Sequence, residues 1–138
     1  MAALQPGVYI IRNCYSGTTL DANTGVGLVI GWSHHGGDTQ QWRLSKRNNG
    51  WALQYTKDSR YASPSNYARG VVIGLVPEIE FYNITQAEEE DAYKISPCDA
   101  PNLVLALHFN STRDHAPVIL WDEGKTRGQT WTLRRIGS

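Results

Sequence analysis

Within twenty residues the chain gathers a carboxylate, an aromatic ring and a run of polar and flexible groups: Asp21, Trp32, His34, His35, Gly36, Gly37, Asp38, Thr39 and Gln40. A carboxylate accepts hydrogen bonds from adjacent hydroxyls, and its charge makes those bonds shorter and stronger. A ring covers a flat apolar face. An amide or backbone donor fixes the remaining hydroxyl, and glycines let the backbone approach closely. These are the three kinds of group that hold a polyhydroxylated ligand, which offers little apolar area and is specified through polar contacts. Each residue also has a plainer reading. An Asp before Ala-Asn-Thr-Gly is commonly a turn residue bonded to its own backbone. Trp32 fits rim or core packing. His34 and His35 lack a third metal ligand nearby in sequence.

The elements that position these residues come from a pattern used three times. Val29-Ile30-Gly31-Trp32 leads to Gln40-Gln41-Trp42, Val72-Ile73-Gly74-Leu75 to Glu80-Phe81-Tyr82, and Val118-Ile119-Leu120-Trp121 to Gln129-Thr130-Trp131. Self-similarity at this spacing marks one structural unit repeated. Short apolar runs bounded by Gly, Pro, Asn and Ser are strand and turn chemistry. Each unit divides into four strands. First strands are expected at Gly7–Arg12, Trp51–Thr56 and Ala92–Ser96, and second strands at Thr18–Ala22, Arg60–Ser63 and Leu103–Leu107. Third strands are expected at Leu28–Gly31, Val71–Leu75 and Pro117–Trp121, and fourth strands at Gln41–Ser45, Phe81–Thr85 and Thr130–Arg134. The fold class is all-β with about twelve strands, in a closed or capped barrel that hides its edges. The chain reads as one domain over 1–138, with repeats at about 7–46, 47–90 and 91–136. Trp42, Tyr82 and Trp131 are expected in the core. Glu88-Glu89-Glu90-Asp91 reads as a solvated connector.

Lys plus Arg is 13 and Asp plus Glu is 13, a net charge of zero over 138 residues. That balance argues against a nucleic-acid partner bound through a basic face. The N-terminus lacks a basic start and an apolar run, so a cytoplasmic protein is expected, released if at all without a classical leader. No run approaches the ~18 apolar residues of a membrane span, so no membrane insertion is expected. Cys14 and Cys98 fall at equivalent places in units one and three, far apart around a threefold axis, and are expected as thiols. Asn83-Ile84-Thr85 and Asn110-Ser111-Thr112 match the glycosylation acceptor and are expected to be unused.

Three four-stranded units with Gln-x-Trp near their ends resemble the β-trefoil of the ricin B-type lectins, from about Gly7 to Leu133. Unit one is similar to small fungal lectins of that family. It carries Pro6-Gly7-x-Tyr9-x-Ile11, Leu20-Asp21, Ile30-Gly31, His35-Gly36-Gly37-Asp38 and Gln40-x-Trp42. The resemblance implies binding of galactose or N-acetylgalactosamine on glycans and glycoproteins, often as a homodimer, with no cofactor, and a role in fungal defence. It implies a carbohydrate site of Asp21 as hydroxyl acceptor, Trp32 and/or His35 as stacking surface, a Gly36 amide and Thr39 as donors, and Gln40 supporting Asp21. Thr39 stands where the family commonly has Asn. Asp38 or Asn23 could take over that donor's place.

One site is expected. Unit two reads with Ala62 in place of Asp21, Leu75 in place of Trp32 and a loop three residues shorter. Unit three keeps Trp121 and Gln129, has Ala106 in place of Asp21, and could draw an acceptor from Asp122 or Glu123 in the loop 122–128. A rival reading is a protease inhibitor presenting Arg69 or Arg113 on a protruding loop. An enzyme is not expected. Glycoside hydrolysis needs two carboxylates across a cleft, and Asp21 with Asp38 carries no mark of a raised-pKa acid. A nucleophile elbow, a metal-ligand cluster and a phosphate loop are absent from the sequence.

Overall fold

The computed structural model describes residues 3–48, 50–89, 91–108, 111–124 and 127–138. Glu90 of the acidic run, Asn110 of the second acceptor triplet, and Lys125 and Thr126 of the unit-three loop lie outside the described residues, as does the side chain of Arg127. Twelve strands follow one another: β1 (Gly7–Asn13), β2 (Thr19–Asn23), β3 (Leu28–Trp32), β4 (Trp42–Arg47), β5 (Gly50–Tyr55), β6 (Tyr61–Pro64), β7 (Ile73–Val76), β8 (Tyr82–Gln86), β9 (Tyr93–Pro97), β10 (Leu103–Leu107), β11 (Ala116–Asp122) and β12 (Trp131–Gly137). Short 3-10 turns at Asp38–Gln40 and Arg127–Gln129, which strand patterning does not reveal, deliver the chain into β4 and β12.

The first and last strands of each unit form a closed ring. β1 pairs with β4, β4 with β5, β5 with β8, β8 with β9, β9 with β12 and β12 with β1, all antiparallel. A closed ring leaves no exposed ladder edge. The hairpins β2–β3, β6–β7 and β10–β11 cap one end of this barrel and touch in a triangle. β11 pairs with β3, β3 with β7, and Val72 bridges Ile119. This is a β-trefoil.

Alternation along the strands sends Ile11, Leu20, Leu44, Leu53, Ile73, Ile95, Leu105 and Leu120 into one core. Trp42, Tyr82 and Trp131 lie at its centre with no exposure. Each uses its polar atom to tie its own hairpin to the barrel. Trp42 Nε1 donates to Leu20 O at 2.9 Å, Tyr82 Oη to Ala62 O at 2.7 Å and Trp131 Nε1 to Leu105 O at 3.1 Å. Buried ring donors find carbonyl partners, as they must to avoid a desolvation cost.

Those three bonds also set which residues are equivalent. Leu20 lies opposite Gly31, Ala62 opposite Leu75 and Leu105 opposite Leu120. The residue after each is then Asp21, Ser63 and Ala106, and the ring position is Trp32, Val76 and Trp121. Unit two therefore replaces Asp21 by Ser63 and Trp32 by Val76, one residue later than the expected Ala62 and Leu75. Matching the Val-Ile-Gly text puts the wrong face inward, because Ile73 and Leu75 are the buried positions of β7. In a strand a one-residue slip exchanges the two faces.

Cys14 and Cys98 form no disulfide. No helix among the described residues is long and apolar enough to cross a membrane.

Candidate functional site

Asp21 sits on β2 with only 6% of its surface exposed. Its partner is Gln40, the first residue of Gln-x-Trp, which is fully buried at the end of the 3-10 turn. Gln40 Nε2 donates to Asp21 Oδ2 at 2.8 Å and to Ser33 O at 3.0 Å. Gln40 Oε1 accepts from the backbone N–H groups of His35 at 2.9 Å and Gly36 at 3.0 Å. Two donors and two lone pairs are all a primary amide has, and all four are used. Gln40 thus latches the loop 33–36 down while holding the carboxylate from beneath. Asp21 Oδ1 has no hydrogen-bond partner among the described residues, and it is not among the sealed, unsatisfied atoms, so it keeps contact with solvent.

The loop above is internally braced. Gly36 takes φ +72, a left-handed conformation that suits glycine. The Gly37 N–H donates to His35 Nδ1 at 2.8 Å, so a neutral His35 ring carries its proton on Nε2. That nitrogen lies 3.7 Å from Asp21 Oδ2. Gly36 is the expected ligand donor. Its single N–H is already given to Gln40, as the Gly37 N–H is given to His35. Thr39 lies within the 3-10 turn, half-buried. Asp38 lies 3.8 Å from Lys57, both exposed.

Trp32, half-buried at the end of β3, meets the His115 ring edge-on, with centroids 4.4 Å apart and planes at 89°. Next to it, Asp114 Oδ1 accepts from the Ser33 backbone N–H at 2.6 Å and from Ser33 Oγ at 2.9 Å. Asp114 and His115 belong to unit three, and the sequence reading does not find them. Nothing local ties them to a residue 81 positions away. His115 does occupy φ +72, a strained conformation for a non-glycine residue. His34 Nδ1 lies 3.2 Å from Thr19 Oγ1. Its pKa is lowered, first by partial loss of solvent and then by the positive fields of Arg12, Arg134 and His35.

Unit three repeats the latch without the carboxylate. Gln129 Oε1 accepts from Gly124 N at 2.7 Å, and Gln129 Nε2 donates to Asp122 O at 2.8 Å. Ala106 stands at the carboxylate position. Asp122 and Glu123, the acceptors considered for this unit, are ion-paired with Arg69 and Lys94. Arg69 also lies over the Trp121 ring, 5.3 Å from its centroid. Unit two has lost the latch. Glu80 replaces the glutamine and its carboxylate accepts from Tyr67 Oη at 2.9 and 3.2 Å. Burial raises the Glu80 pKa, and burial with Glu80 pushes the Tyr67 phenol up to about 12.

No family model matches the chain. No curated protein sequence matches it. Solved structures do. The ricin B-like lectin of Macrolepiota procera, determined in complex with lactose, aligns at TM-score 0.91 and 26% identity, over 99% of this chain and all of that one. The Rhizoctonia solani agglutinin aligns at TM-score 0.90 and 26% identity, over 99% of both chains. The chain is a β-trefoil similar to these fungal lectins. ThreeFoil, a designed threefold-symmetric protein, shares the fold at TM-score 0.86 and 23% identity, over 94% of this chain. Against such symmetry, this trefoil keeps a glutamine latch in two units and a latched carboxylate in one.

Proposed function

We propose that this protein is a carbohydrate-binding lectin, non-enzymatic, with one site in its first repeat for galactose- or N-acetylgalactosamine-bearing glycans. The observation that carries the reading is Asp21: a carboxylate with one oxygen held by Gln40 and the other open to solvent. The held oxygen orients the group, and the open one can accept from a sugar hydroxyl. His35, 3.7 Å from Asp21, and Trp32 are the ring surfaces of this reading, and Thr39 is its hydroxyl donor. The likeness to a lectin determined with lactose supports the same ligand class. A single shallow site per chain gains by avidity when two copies join, which favours a homodimer as the cross-linking form.

Inhibition of a serine protease through Arg69 loses its main support, because that guanidinium is engaged by Asp122 and the Trp121 ring. Arg113 remains exposed in the neighbouring loop, with no feature that marks it as a protease-binding residue.

Titration calorimetry with N-acetylgalactosamine and with lactose, using Asp21→Ala as control, tests the proposal. A monosaccharide in a shallow site should bind at roughly 0.1–1 mM, or about 4–5.5 kcal/mol. One site per chain, absent in the variant, is the expected result. No heat at several millimolar of either sugar would remove it.

A further inference from the structure

The charge on this protein is unevenly placed. β1, β4 and β12 adjoin in the barrel wall and carry Arg12, Arg43, Lys46, Arg47, Arg134 and Arg135 with no acidic residue, although the whole chain is neutral. Elsewhere Lys57, Arg60, Arg69 and Lys94 each have a carboxylate partner. Arg12 and Arg134 have none among the described residues.

Strand register brings both toward the unit-one site. Arg12 lies opposite Thr132 on β12 and opposite Thr19 on β2, and Arg134 is opposite Ile10, diagonally across from Arg12. Thr19 in turn pairs with Trp32, and its hydroxyl bonds His34. Arg12 is also aimed. Its Nε and Nη2 both donate to Gly17 O, at 3.0 and 2.8 Å, while the residue stays exposed. A carbonyl fixes the guanidinium without neutralising it, leaving Nη1 as a free arm of the fork that suits sulfate and carboxylate oxygens. Both arginines act electrostatically on His34, whose chain neighbour His35 reaches Asp21.

We propose that Arg12 and Arg134, with the His34 ring beside them, form a subsite for an anionic substituent, a sulfate ester or a carboxylate, on a glycan whose galactose-type residue occupies the Asp21 site. The subsite rests on that sugar reading and extends it to a preference for acidic glycans.

The test titrates wild type, Arg12→Gln and Arg134→Gln with lactose, with lactose sulfated on its galactose, with 3′-sialyllactose and with heparin. The wild type should bind an anionic lactose about tenfold more tightly than lactose, the effect of one charged hydrogen bond. Each variant should lose most of that preference while binding lactose as before. Raising NaCl from about 0.05 M to about 0.5 M should erode it, since exposed charges are screened. The sulfated and sialylated arms identify which anion fits. Equal affinity for lactose and both anionic forms overturns the subsite and leaves the sugar reading intact, as does a preference that survives both substitutions. Heparin bound as tightly as the anionic lactoses, and Arg12-dependent, overturns it in favour of a general polyanion surface. Absence of binding to every lactose form overturns the sugar reading and the subsite together.

Discussion

Gln40 Nε2 donates to Asp21 Oδ2 at 2.8 Å, and the same amide group ties down Ser33, His35 and Gly36. One buried side chain therefore shapes the loop and aims the carboxylate. Gln40→Ala would leave two backbone N–H groups, a carbonyl and a carboxylate oxygen short of partners. The expected cost is on the order of 3 kcal/mol of stability, given about 1–3 kcal/mol for each unsatisfied group and some relief from water. Lactose affinity should fall with it. Chemical denaturation and calorimetry on the same preparation check both, and a stable variant with weakened binding would show that the latch matters for aim alone.

Asp114 braces the site from unit three through Ser33. Asp114→Ala should cost only about 1 kcal/mol of stability, because these bonds lie at the surface. It should weaken lactose binding several-fold by freeing the strand end that carries Trp32. Asp114→Asn keeps an acceptor oxygen and should recover most of the affinity. Equal binding in Asp114→Ala and wild type would remove the brace from the functional account.

Unit three offers a gain-of-site experiment. It has a latching glutamine and an exposed Trp121 with Arg69 over its ring, and lacks the carboxylate. Ala106→Asp combined with Arg69→Ala should raise the lactose stoichiometry from one to two per chain, with the new site the weaker. Ala106→Asp alone should not, because Arg69 still covers the ring. A stoichiometry fixed at one in the double variant would mean that His34, His35 and the paired glycines are indispensable.

Glu80 gives a pH signature. Its folded-state pKa is raised by burial, so the folded protein binds its proton more tightly than the unfolded chain does. Stability from this group is present below the ordinary glutamate value and is lost as pH rises from there through the folded value. Glu80→Gln keeps an acceptor for Tyr67 and removes the titration. Its melting temperature should exceed that of wild type by a growing margin as pH climbs from about 4 to 7. A constant margin would assign the difference to packing.

Much of this architecture can be read before any coordinates are seen. The three-unit period, the twelve strands and the burial of Trp42, Tyr82 and Trp131 follow from alternation and repetition. The approach of Gln40 to Asp21 comes instead from the resemblance to the ricin B-type lectins. The register of unit two follows from neither, because Val72-Ile73-Gly74 copies the letters of unit one with the buried face one residue over. Nor does the engagement of the Gly36 N–H: a glutamine can present either its carbonyl or its amide nitrogen, and only the fold chooses. Asp114 and His115 are invisible for a different reason. Their contacts cross between units, and no periodicity within a unit encodes a neighbour in another.

The three hairpins of the cap hold one another in a circle. Leu75 N–H donates to Gly27 O, Gly70 N–H to Leu120 O and His115 N–H to Gly31 O, so unit one grips unit two, unit two grips unit three and unit three grips unit one. The local stability of the Asp21 hairpin is accordingly not its own, since loosening any hairpin removes a support from the next. The amides of Gly70 and Leu75, which donate their bonds from unit two, should then exchange with solvent more slowly when a ligand fills the site at Asp21. The molecule would report occupancy of one face through the rigidity of another, with no change in shape.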